Sequence, residues 1–155
     1  MSPALTDALL AYAHFLFIIL TAGMLAAELV LCRGPLSAEQ ARRLARLDIV
    51  YFASAMLLLA SGLARLFLGT KGAAFYLGNP VFHVKIGLFI VIGALSIPAT
   101  LRFIAWKKRL AAQPGGSIAA DEVKRTARFV HLQLGVLAAI PLFAALMARG
   151  IGMAG

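Results

Sequence analysis

Four long apolar stretches dominate this sequence and constrain its fold more than any other feature. They cover residues 8–31, 49–68, 81–104 and 129–148. Each has the roughly 20 mainly apolar residues that a helix needs to cross the hydrocarbon core of a bilayer. None alternates apolar and polar residues with the period of two that a membrane β-barrel requires. The pattern therefore predicts an all-α integral membrane four-helix bundle, a single domain spanning all 155 residues and embedded in the lipid bilayer.

The positions of the basic residues are typical of the loops that connect membrane spans. The chain is 62% hydrophobic and has a net charge of +9. Eleven of its 15 Lys and Arg residues lie within 33–46 and 102–128, whereas the second loop has only Lys71 and the segment before the first span has none. Loops rich in Lys and Arg stay in the cytoplasm. The distribution predicts both termini on the non-cytoplasmic side, and it disfavours nucleic acid as a partner.

Local signals predict where the helices begin. Ser37 is followed three residues later by glutamine, which reads as a capping box for a helix that runs into the second span. Asn79, directly before a proline, reads as the N-cap of the third span. Ser117 is predicted to cap the helix of the fourth span. Asp121 and Glu122 would then lie in its first turn, where the helix dipole favours acidic residues.

Ionisable side chains at membrane depth are functional candidates because they are costly there. Four of them lie about 5 to 9 Å inside the same membrane face, counted at 1.5 Å per helical residue. They are His14, Arg65, His83 and Lys85. Two histidines on different helices suit the axial positions of a b-type haem. Arg65, Lys85 or Lys71 would neutralise its propionates. The alternative is that these groups only fix helix packing or reach the interface.

A second group of polar residues lies near the opposite face. It contains Glu28, Arg102 and His131, and we expect a Glu28–Arg102 or Glu28–His131 pair. These residues would form a proton or ion path if the protein were a cofactor-free transporter. Four spans are few for enclosing a path, so that function would need a homo-oligomer. A structural membrane subunit is a further alternative.

The sequence resembles an uncharacterised bacterial family of predicted four-span membrane proteins and, more distantly, the HemJ-type protoporphyrinogen oxidases. The likeness is carried by His14 in the first span with Ala22-Gly23 after it, by the basic run 41–46, and by the sequence Phe-His-Val-Lys at 82–85. The chain departs from the oxidase pattern at Ala27-Glu28, where that family has proline and arginine.

The resemblance implies a b-type haem with His14 as the strongest ligand candidate. It also implies a catalytic role for Lys85, acting on porphyrin carboxylates, and it makes His83 a motif residue. The function it implies is that of a haem-dependent membrane oxidoreductase in the bacterial inner membrane, with a porphyrin or a quinone as its redox partner.

Overall fold

A computed structural model describes residues 2–70, 72–113 and 115–149 of the chain, and Lys71 lies outside the described residues. The described residues form five helices: α1 Pro3–Leu31, α2 Ala38–Leu68, α3 Gly72–Leu77, α4 Pro80–Ala112 and α5 Ala120–Ala148. Each of the four predicted apolar stretches lies inside one long helix, and all four long helices are long and apolar enough to cross a membrane. The predicted all-α four-helix membrane fold is confirmed.

The long helices form an antiparallel bundle in chain order. The main contacts are α1 with α2 and α4 with α5, while α2–α4 and α1–α5 contacts close the bundle. The terminal end of the bundle carries the start of α1, the short helix α3 and the end of α5. The basic end carries the α1–α2 and α4–α5 connections, where most of the Lys and Arg residues lie.

Most of the fully buried side chains lie in the half of the bundle nearest the basic end. Leu44, Phe103 and Val123 are completely buried there, beside the nearly buried indole of Trp106. The outward faces of the helices carry large apolar side chains instead, such as Ile19 at 69% exposure. In lipid these faces meet acyl chains, so their exposure carries no hydrophobic cost.

The two connections at the basic end are joined to each other. The Leu36 N–H donates to the Ile118 carbonyl at 3.1 Å, and the Ile118 N–H donates to the Leu36 carbonyl at 2.9 Å. Both side chains are fully buried and join the core. This backbone bridge pairs N–H and C=O groups of two connections that the helices themselves do not pair. It also fixes the start of α2 relative to the start of α5.

Two of the three predicted helix starts are confirmed. Ser37 forms the capping box of α2, and Asn79 caps α4 by accepting from the Val81 N–H. The prediction for Ser117 is wrong: the N-cap of α5 is Ala119, without a side-chain bond, although the acidic first turn is present. The bridge made by Ile118 explains the difference, since it holds this segment extended for two residues beyond Ser117.

The two serines provide a matched test of this local structure. We expect Ser37→Ala to destabilise the protein by about 1 kcal/mol, the usual worth of an N-cap. Ser117→Ala should change stability little, since no helix depends on that hydroxyl. Thermal unfolding of both variants in the same detergent measures the difference, and equal losses would contradict the assignment.

Candidate functional site

A cavity of about 490 Å³ opens inside the half of the bundle nearest the terminal end. Its volume is in the range of small-molecule and cofactor pockets. Side chains from all four long helices and from α3 line it, and most of them are apolar. Its polar lining consists of His14, Arg65, Lys85 and the Tyr76 side chain, and its aromatic walls include Phe15, Phe82 and Phe89.

The imidazole of His14 is held against α2 by a hydrogen bond to Ser61. The Ser61 hydroxyl donates its own proton to the Leu58 carbonyl at 2.9 Å. With that proton directed to Leu58, the hydroxyl oxygen accepts from His14 Nδ1, 3.0 Å away, in the imidazole tautomer that carries its proton on Nδ1. A neutral imidazole with its proton on Nδ1 has a free lone pair on Nε2. This is the arrangement by which proteins orient a histidine that ligates a metal.

Gly62 provides the space for that imidazole. A Cβ atom at this position would lie 3.2 Å from His14 Cε1, closer than ordinary van der Waals contact. The ring of His14 therefore packs directly over the backbone of α2. Ser61 and Gly62 together fix both the orientation and the height of the imidazole, and sequence reasoning identified neither of them.

Arg65 and Lys85 bring two positive charges to the cavity, and among the described residues no carboxylate pairs with either of them. Both residues line it, and neither forms an ion pair among the described residues. The Arg65 Nε atom is buried and has no hydrogen-bond partner. Lys85 Nζ lies 6.0 Å from the ring centroid of Phe82. Asp7, an acidic residue described at this end, is paired with neither cation. The side chains that line the cavity therefore include two positive charges and no acidic group.

His83 is not brought to the cavity. Its side chain is exposed, and its Nε2 donates to the Leu77 carbonyl at 2.9 Å. His83 and Lys85 are two residues apart on a helix, which turns their side chains about 200° from one another. Because Lys85 lines the cavity, His83 faces away from it. The expected clamp of two histidines across one cavity is therefore not formed, and His14 is the histidine that the cavity presents.

The expected partners of Glu28 at the other end are also wrong. The Arg102 guanidinium donates to Thr126 at 3.2 Å, and the side chain of His131 is exposed. Glu28 is instead buried opposite α2, where Asp48 is the acidic side chain that acts on it electrostatically. Sequence reasoning missed Asp48 because the second apolar stretch begins one residue later, whereas α2 begins at Ala38.

The fold and the cavity define a four-span helical membrane protein with a mainly apolar pocket that is lined by one histidine, one arginine and one lysine. Residues 6–152 match the family described as "Predicted membrane protein (DUF2214)", and the chain belongs to that family. No curated protein and no solved structure matches the sequence.

Two glycines test the packing of His14 against α2. Alanine raises helix propensity over glycine by up to about 1 kcal/mol, and a Cβ at Gly23 would meet nothing within 4 Å. We therefore expect Gly23→Ala to stabilise the protein or leave it unchanged, and Gly62→Ala to lower its unfolding temperature relative to Gly23→Ala. Adding His14→Ala to Gly62→Ala should recover that loss. No recovery would contradict the contact.

Proposed function

We propose that this protein binds a b-type haem in the cavity near the terminal end and acts as a membrane redox protein. The observation that supports the proposal best is the composition of that cavity. It combines a histidine with a free Nε2, two cations that form no ion pair with the described residues, and apolar and aromatic walls. Haem needs these three features together: an axial ligand, partners for two propionates, and an apolar surround.

His14 would supply the axial ligand through Nε2. Its Nδ1–H bond to Ser61 increases the electron density on the ring and prevents its rotation, which are the two ways in which outer partners tune a ligating histidine. His83 has no part in this proposal, because it faces away from the cavity. The cavity thus offers one histidine from the described residues, and the side chains that α5 contributes to its lining, such as Leu137 and Ile140, are apolar.

Arg65 and Lys85 would hold the propionates. They lie on α2 and α4, near the terminal end of the bundle, and both line the cavity. An arginine can hold a carboxylate through two parallel hydrogen bonds. Lys85, which the HemJ resemblance makes a catalytic candidate, would act on a porphyrin carboxylate.

A bound haem would supply one-electron redox chemistry. The chain itself would orient the ring, exclude water with its aromatic walls and offset the propionate charge. A quinone or a porphyrin in the bilayer is the proposed electron partner. The resemblance to HemJ-type oxidases and the distribution of basic residues support a bacterial inner-membrane location, with both termini on the non-cytoplasmic side.

An absorption spectrum of protein purified in mild detergent from haem-replete cells tests this function. We expect a Soret band, with a shift on reduction by dithionite, in the wild-type protein. His14→Ala should lose that band, because the cavity has no second histidine. His83→Ala is the matched control, and it should keep the band since its ring lies outside the cavity.

Two results would overturn the proposal. One is a featureless visible spectrum that added haemin does not change. The other is an equal loss of haem in the His83→Ala and His14→Ala variants, both of them folded by circular dichroism, because a shared loss would show that the cavity residue has no special role.

A further inference from the structure

Two carboxyl groups are buried at one level of the bundle, far from the cavity. Glu28 on α1 is 1% exposed and Asp48 on α2 is 5% exposed. They belong to the half of the bundle nearest the basic end, where the core is tightly packed. Burial of two acidic side chains in the same place is unusual in a protein core, and more so within a membrane, unless something compensates for their charge.

The register of α1 on α2 brings the two groups together. Thr21 donates to Ser54 across the interface at 3.1 Å. Seven residues further along α1 is Glu28, and seven residues back along the antiparallel α2 is Leu47, so Glu28 lies level with Leu47 and Asp48. In the other direction, the His14–Ser61 hydrogen bond lies seven residues from the Thr21–Ser54 bond on each helix. The same register therefore holds along the interface.

The two carboxyl groups differ in their hydrogen bonds. Asp48 Oδ1 accepts from the Thr100 hydroxyl at 2.9 Å. Glu28 Oε1 is buried and has no hydrogen-bond partner in the described part of the chain. The ion pairs formed between described residues lie at the surface and include neither group. An isolated carboxylate oxygen in this position would be left without the donor that a negative charge requires.

The titratable side chains that face Glu28 add no positive charge. They are Asp48 and Tyr51 from α2, and Cys32, the residue directly after α1. From α5, Gln133 approaches this layer and accepts from the Tyr51 hydroxyl at 2.9 Å. All of these groups are neutral or acidic.

The basic side chains nearest this level are engaged elsewhere or exposed. Arg102 donates to Thr126, while Arg128 and His131 are exposed. On α2, Arg43 and Arg46 line a surface groove beside α1, and both are exposed as well. Each negative charge of two buried carboxyl groups at one level disfavours the other, and burial disfavours both. The arrangement therefore favours a proton on one of the two.

We propose that Glu28 and Asp48 form a proton-binding pair inside the membrane, with Glu28 as the group that gains and loses the proton. Asp48, with a hydrogen bond from Thr100, is the better stabilised carboxylate. Glu28 lies one turn from the end of α1 at Leu31, so its proton exchanges with water at the basic end. Release converts the acid to a carboxylate and transfers one proton to water. This proposal is independent of haem binding and can be tested on haem-free protein.

Labelling by dicyclohexylcarbodiimide tests the pair, because this apolar reagent reacts with protonated carboxyl groups inside membranes. The full chain in liposomes is labelled over a series of pH values and analysed by peptide mass spectrometry. We expect a modification on Glu28 that decreases as the pH rises. Glu122, an ion-paired carboxylate near the surface, is the internal control and should remain unlabelled.

The Asp48→Asn variant makes the test specific. Removing the neighbouring charge should let Glu28 ionise more readily, so its labelling should fall at a lower pH than in the wild-type protein. An unchanged labelling curve would overturn the pairing. Protection by sodium chloride but not by choline chloride would also overturn the proposal, since it would show a metal-cation site instead.

Infrared spectroscopy covers the case in which the reagent does not reach Glu28. The difference between the wild type and Glu28→Gln should contain a carboxylic-acid carbonyl band that disappears at high pH. Absence of both the band and the label at every pH would overturn the proposal. Glu28→Gln should fold, because glutamine has the shape and neutrality of the protonated acid.

Discussion

The half of the bundle nearest the terminal end must accommodate the positive charges of Arg65 and Lys85. A charge inside a membrane bundle is tolerated when an opposite charge, a hydrogen-bond partner or water compensates for it. Among the described residues neither cation has an anionic partner, and the buried Nε of Arg65 has no acceptor. The cavity beside them is the place where an anionic ligand would provide that compensation.

The interiors of the two halves of the bundle are occupied in different ways. Near the basic end, large side chains such as Phe103 and Trp106 fill the interior, and a backbone bridge closes the connections. Near the terminal end, the helices leave a cavity, and hydroxyl contacts replace apolar packing: Ser61 orients His14, and Gly62 lets its ring approach α2. A densely buried half of the bundle thus adjoins a half that contains a cavity.

The spans could be predicted from the sequence because lipid leaves so few alternatives. An unpaired backbone cannot face hydrocarbon, so a long apolar run must be helical. Depth was also predictable, since it follows from the rise per residue, and this correctly grouped His14 with Arg65 and Lys85. The direction in which each side chain points was harder. Helices that are apolar on nearly every face give no amphipathic pattern to show which face is buried.

The errors at His83 and at Glu28 both follow from that limit. Depth alone grouped His83 with the cavity residues, although its separation of two positions from Lys85 already placed it on the opposite face. Depth alone also offered Arg102 and His131 as partners for Glu28. The partner that the structure provides, Asp48, lies just outside the apolar run, where the helix continues beyond the hydrophobic pattern. The short helix α3 had no periodic signal in its six residues.

The most direct measurement compares the affinity of the haem-free protein for haemin and for haemin dimethyl ester, which lacks the two carboxylate charges. Because a hydrogen bond to a charged group is worth about 1.5–3 kcal/mol, we expect the wild type to bind haemin about tenfold or more tightly than the ester. Arg65→Gln should remove most of that preference. Arg102→Gln, whose guanidinium is bonded to Thr126 outside the cavity, should keep it. Equal affinities in the wild type, or a preference that Arg65→Gln leaves intact, would contradict an anion-binding role for the cavity.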